Sequence, residues 1–179
     1  MTVFSSPALR FFLAVVIIQG IHVFEHIVQL VQVYVLGIPD DNALGLLGYV
    51  FQFQGTEEWL HLVFNATYLA SLYVLLIPLR RLVPHALPAW AFAAYTAGVA
   101  LESWHMVEHV VIISNVLAHG GCPCPGIVDA ATGLSDTVLH FFYNALTYAG
   151  VLAAAVGLVV QRQKVASTTT VGPLMADGR

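Results

Sequence analysis

At 179 residues, 59% hydrophobic and only 9% charged, the chain is too poor in charge for a water-soluble domain, where charged residues make up about 25%. The length accommodates roughly four membrane spans of about 20 residues with their connections, in one domain. A net charge of −4, dispersed along the chain, gives no footing for nucleic acid, and the two cysteines, Cys122 and Cys124, stand too close for an ordinary disulfide framework.

The first predicted helix runs from about Pro7 to Leu36. It is longer and more polar at its centre than a signal-peptide core and has no basic leader, so it reads as an uncleaved span. Gly, Pro, Asp and Asn break the segment from Gly37 to Gly55 into a loop. Thr56 is a candidate N-cap for a second helix from Glu57 to about Leu79. Arg80, Arg81, Pro84 and Pro88 mark a short turn, after which a third helix covers Ala89 to Ala118 and stops at Gly120-Gly121. A second long loop reaches Leu134, and Ser135 caps a fourth helix from Asp136 to about Val160. The Ser/Thr-rich tail, flexible from about residue 165, completes the chain.

The basic residues Arg10, Arg80, Arg81, Arg162, Lys164 and Arg179 all fall at the amino end, the middle turn or the tail, whereas the long loops hold Asp40, Asp41 and Asp129 and no Lys or Arg. The positive-inside rule therefore predicts cytoplasmic termini and loops 37–55 and 119–134 on the outside of an inner or plasma membrane of bacterial type.

Two ionisable clusters interrupt the apolar sequence. His22-Val23-Phe24-Glu25-His26 lies midway along the first helix and His105-Met106-Val107-Glu108-His109 midway along the third. Offsets of three and four residues stack on one helical face, and ionisable groups at that depth are costly unless partnered, so they read as functional. The second and fourth helices share another pattern, with an acid, a histidine and an asparagine each four residues apart: Glu57, His61, Asn65 and Asp136, His140, Asn144. His22 and His105 are 83 residues apart, and His61 and His140 are 79 apart. The loops repeat as well, with Gly37-Ile38-Pro39-Asp40 matching Gly126-Ile127-Val128-Asp129.

The expected fold is therefore an all-α integral membrane protein, a four-transmembrane-helix bundle of two tandem helical hairpins, about 8–83 and 89–164, related by a parallel pseudo-twofold axis. That axis gathers His22, Glu25, His26 and His61 opposite His105, Glu108, His109 and His140 as metal ligands. At the helical rise, the rings of His61 and His140 stand roughly 6–8 Å nearer the outer face than those of His26 and His109. Gln19, Glu57, Asn65, Asp136 and Asn144 supply the surrounding polar partners. Glu25, Glu108 and Glu102 are the candidate catalytic carboxylates, one of them moving protons while others ligate.

A histidine-rich, carboxylate-containing bundle core resembles a dinuclear metal site in its chemistry, and Glu102-x-x-His105 has the step that carboxylate-bridged centres use. Iron is favoured, with copper or zinc as alternatives. Cys122 and Cys124, with His119, form a weaker soft-metal candidate in the second loop. The function expected is a membrane oxidoreductase acting on O2 or a lipid-soluble substrate. Three competing functions are a metal-ion transporter, a b-type haem protein or accessory subunit of a larger membrane complex, and a zinc hydrolase built on the inverted His-x-x-Glu-His motif. The polar stripe ends halfway, since Phe11 to Ile18 is apolar, which favours a closed site over a transport ladder.

Overall fold

A computed structural model describes residues 6–51, 57–120 and 125–171. Among the described residues there are helices and turns and no strand. The helices are α1 (Pro7–Tyr34), α2 (Gly45–Phe51), α3 (Glu57–Leu82), α4 (Ala89–Ala118), α5 (Ile127–Thr132) and α6 (Asp136–Val171).

Local chemistry accounts for the boundaries. Ser6 Oγ accepts from Leu9 N at 3.3 Å and Pro7 opens α1, where its missing N–H costs nothing. Ser135 Oγ accepts from Val138 N at 3.4 Å at the start of α6. The helix of α6 continues past the expected end near Val160 and through the segment expected to be a flexible tail, as far as Val171. Gln161, Arg162, Gln163, Lys164 and Ala166 are good helix formers and no Gly or Pro interrupts before Gly172. The two long loops also hold more structure than expected: a single turn at Asp40–Asn42, then α2 and α5. The proposed cap Thr56 and the pair Cys122 and Cys124 lie outside the described residues.

Three helices, Pro7–Tyr34, Trp59–Leu82 and Asp136–Val165, are long and apolar enough to cross a membrane. Ile17, Ile21, Val74, Ile77 and Val156 are all exposed on them, a belt of apolar side chains that suits lipid. With 30 residues α4 has the length but not the hydropathy, because Glu102, His105, Glu108 and His109 fall within it.

Packing is uneven. The tightest pair is α4 with α6, where Gly98 and Gly150 bring two backbones together. A Cβ on Gly150 would sit 2.6 Å from Ala94 O, and one on Gly98 would sit 3.1 Å from Thr147 O. Small residues allow this approach, and dispersion between the close backbones stabilises it. Helix α1 lies along α6 and α3 along α4, while α1 and α3 meet more loosely than any of these pairs. The interior divides by chemistry along its length. Leu9, Phe12, Val15, Leu72, Leu75, Leu79, Leu87, Ala91, Tyr95, Val151, Ala154 and Leu158 fill the end where α1 and α4 begin and α3 turns into α4. The buried polar residues occupy the other half.

Candidate metal centre

In the polar half the imidazoles of His22, His26, His61, His105, His109 and His140 form one cluster, with neighbouring ring centroids 4.5–6.1 Å apart. The axial offset expected between His61 and His26 closes to 5.7 Å between ring centroids. Five of the rings are buried and His61 is half-buried.

Within this cluster His105, His109 and His140 each offer a ligand atom, all within 4.8 Å of one another. On each ring one nitrogen has a polar neighbour. His105 Nδ1 lies 3.4 Å from Glu102 Oε2, and His140 Nδ1 donates to Asp136 Oδ2 at 3.0 Å and to Asp136 O at 2.9 Å. His109 Nε2 is 2.8 Å from the Asn65 amide nitrogen. A ring whose outer nitrogen is a donor keeps its lone pair on the inner one, which is how polar partners orient metal-ligating histidines. His105 Nε2 and His109 Nδ1 have no hydrogen-bond partner among the described residues. Asn65 Oδ1 is also unpartnered; turning that amide over would make His109 Nε2–H the donor and free Nδ1 to ligate.

The first half of the chain spends the same groups differently. His26 Nδ1 donates to Gln29 Oε1 at 2.7 Å, and His26 Nε2 is 3.1 Å from both Asn144 Nδ2 and His22 Nε2. Asn144 is held in turn by Gln19 Nε2 at 2.8 Å and by His140 O at 2.9 Å. His26 is thus hydrogen-bonded at both nitrogens. The difference traces to one position: Gln29 follows His26 by three residues, whereas Ile112 follows His109 by three. Periodicity did not single out Gln29, because its role depends on where the His26 ring turns.

Glu25 and Glu108, expected as ligands, are not in the cluster. Glu25 Oε1 accepts from Leu47 N at 2.5 Å in the first turn of α2, and Glu108 accepts from Ile127 N at 2.6 Å and Val128 N at 3.1 Å in the first turn of α5. One residue is about 100° of helix, so the line joining His22 to His26 faces the interior while Glu25 faces the loop; the same holds for Glu108. First-turn amides have no partner inside their own helix and favour a carboxylate. Gly45 and Gly126 leave room, since a Cβ on either would collide with the Glu25 or Glu108 carboxylate. Gln32 Oε1 adds a bond from Gly45 N at 2.9 Å.

Of the other expected groups, Glu102 is fully buried beside His105, Gln19 and Asn144 are paired as above, and the Glu57 side chain lies outside the described residues. His119 bonds Asn115 O through Nδ1 at 2.9 Å. Two aromatic partners were not foreseen: Phe64 stacks on His22 at 4.1 Å and Tyr143 on His105 at 4.8 Å. Their signal was their matched place, three residues after His61 and His140. Outside the spans, Asp129 in α5 has its carboxyl pushed above the ordinary range by partial burial and by the nearby Asp136, Asp40 and Glu108. The chain matches no protein-family model, no curated protein and no solved structure.

Proposed function

We propose that the chain is an integral membrane bundle of two tandem hairpins that holds a transition-metal ion on His105, His109 and His140 and works as an oxidoreductase on O2 or a lipid-soluble substrate. One observation carries the metal reading: three buried imidazoles converge, and each has a polar group against one of its ring nitrogens. Leaving His105 Nε2 and His109 Nδ1, which have no hydrogen-bond partner among the described residues, unpaired in a dry interior costs about 1–3 kcal/mol each, a cost that a bound cation removes.

The repeat reading draws support from paired roles. Asn65 meets His109 while Asn144 meets His26, and both glutamates anchor a short outer helix. With Glu25 and Glu108 engaged elsewhere, the first coordination sphere is all imidazole, a set that suits copper, iron or zinc; redox chemistry narrows it to copper or iron. A second ion on His22, His26 and His61 requires breaking a hydrogen bond at one His26 nitrogen, to Gln29 at Nδ1 or to Asn144 at Nε2, so one ion at the triad is the better-supported stoichiometry. Transport through the bundle is disfavoured by the apolar half of the interior, which closes the polar stripe. A haem between His26 and His109 is disfavoured by the imidazoles of His61 and His140, which fill that space.

Elemental analysis and electron paramagnetic resonance of the purified protein test the reading. Near-stoichiometric copper or iron, lost in His105→Ala and His140→Ala but largely kept in His26→Ala, is the expected result. Metal-free protein that retains full thermal stability after exposure to either ion overturns it.

A further inference from the structure

Among the described residues, several routes to the imidazole cluster are built over. The apolar half of the interior closes one end. At the other, α2 rests on α1 and α5 on α4, each anchored by a buried or half-buried glutamate. Between α4 and α6 the backbones meet through Gly98 and Gly150. The seam between α1 and α3 is the loosest of the four. By the repeat offsets Val15 and Ser71 stand where the second half has Gly98 and Gly150, so the close glycine approach of α4 and α6 has no counterpart at those positions.

The aromatic rings on the two seams differ in the same sense. On the α4–α6 side Tyr143 covers His105 and is pinned by a hydrogen bond from Trp104 Nε1 to its hydroxyl at 3.1 Å. On the α1–α3 side the matching ring is Phe64 over His22. Phenylalanine has no hydroxyl, and Ile21 stands where the second half has Trp104. Phe64, packed against the apolar core and stacked on His22, can therefore turn aside without breaking a hydrogen bond. His61 neighbours His22, with ring centroids 6.0 Å apart, and is the one residue of the six histidines that is only half-buried.

We infer that the α1–α3 seam is a lateral portal, gated by Phe64, through which a bilayer-dissolved amphiphile with an oxygen-bearing head and a long apolar chain reaches the imidazole cluster. The inference rests on the reading of the chain as an integral membrane protein and names the substrate class for the centre proposed above. The exposed apolar side chains flanking the seam, Ile18 and Ile21 on α1 and Leu60 and Val63 on α3, match a chain left in the lipid. The His22 and His61 imidazoles match a head that donates or accepts hydrogen bonds.

The test uses metal-free full-length protein in nanodiscs with isotope-labelled histidine, so its outcome does not depend on whether an ion binds. The probe is stearic acid bearing a nitroxide near its carboxyl end, compared with a charged, water-soluble nitroxide. The expected result is broadening of the His22 and His61 ring resonances by the stearate probe ahead of His105 and His140. That broadening is lost in Ile21→Trp/Phe64→Tyr, which rebuilds the Trp104–Tyr143 clamp. The milder Trp104→Phe, which unpins Tyr143, brings broadening to His105. Equal broadening of all six rings, the same pattern from the water-soluble nitroxide, or no response to either set of substitutions in folded protein overturns the portal.

Discussion

Ile112→Gln places in the second half the group that satisfies His26 in the first. Gln29 reaches His26 Nδ1 at 2.7 Å from three residues along the helix, and position 112 bears the same relation to His109, whose Nδ1 is unpartnered. The new amide therefore accepts from that nitrogen and must be displaced before an ion binds. A hydrogen bond to an otherwise unsatisfied buried group is worth about 1–3 kcal/mol, so metal affinity falls by roughly 5- to 150-fold at about 1.4 kcal/mol per tenfold. Chelator competition on the purified protein measures this directly. Thermal unfolding without metal serves as the control, since the new bond offsets the loss of the buried isoleucine side chain. Gln29→Ile is the reciprocal variant: it releases His26 Nδ1 and raises affinity or adds a second equivalent of metal. Unchanged affinity in Ile112→Gln together with reduced affinity in Gln29→Ile would refute the assignment of the site to the second half.

Glu108→Ala removes the acceptor for Ile127 N and Val128 N; hydrogen exchange at those amides should accelerate by roughly 5- to 150-fold, the equivalent of about 1–3 kcal/mol, while metal content stays close to wild type, the reverse of what a ligand would show. Gly150→Leu drives a side chain into Ala94 O, 2.6 Å from where its Cβ would lie; parting α4 from α6 should cost at least about 1–3 kcal/mol, read as a lower midpoint of thermal unfolding in detergent. Asp129→Asn tests the acidic outer surface. Because the folded protein raises the Asp129 carboxyl, chiefly by burial and then through Asp136, Asp40 and Glu108, its contribution to stability is full in acid and is lost as pH rises through the raised value. The amide should then stabilise α5 by about 0.2–1 kcal/mol at neutral pH, with no difference from wild type once the pH is below the ordinary aspartate range; a difference that persists in acid would refute the electrostatic cause.

Much of the architecture is written in one dimension. Apolar runs punctuated by Gly, Pro and Ser6 or Ser135 give the long helices because burial and backbone hydrogen bonding act locally. The i and i+4 spacing put His22 with His26 and His105 with His109 on common faces, as the ring contacts bear out. Beyond one helix, pattern is a weaker guide. Glu25 and Glu108 share the histidines' turn of helix, yet about 100° of rotation and the open amides of α2 and α5 draw them away. Both short helices lie in segments whose Gly and Pro content reads as loop.

Composition and periodicity alone determined that this chain is helical and apolar, and that its histidines come in matched sets. Those properties follow from each residue's own chemistry and its neighbours within a turn or two. Only tertiary packing decided which imidazole nitrogens are used up and which remain. That outcome depends on where Asn65, Asp136 and Glu102 arrive from other turns and helices, and on Gln29 standing where its counterpart is Ile112. A hydrogen bond is a matter of tenths of an ångström and of direction, and neither is encoded in spacing along a chain.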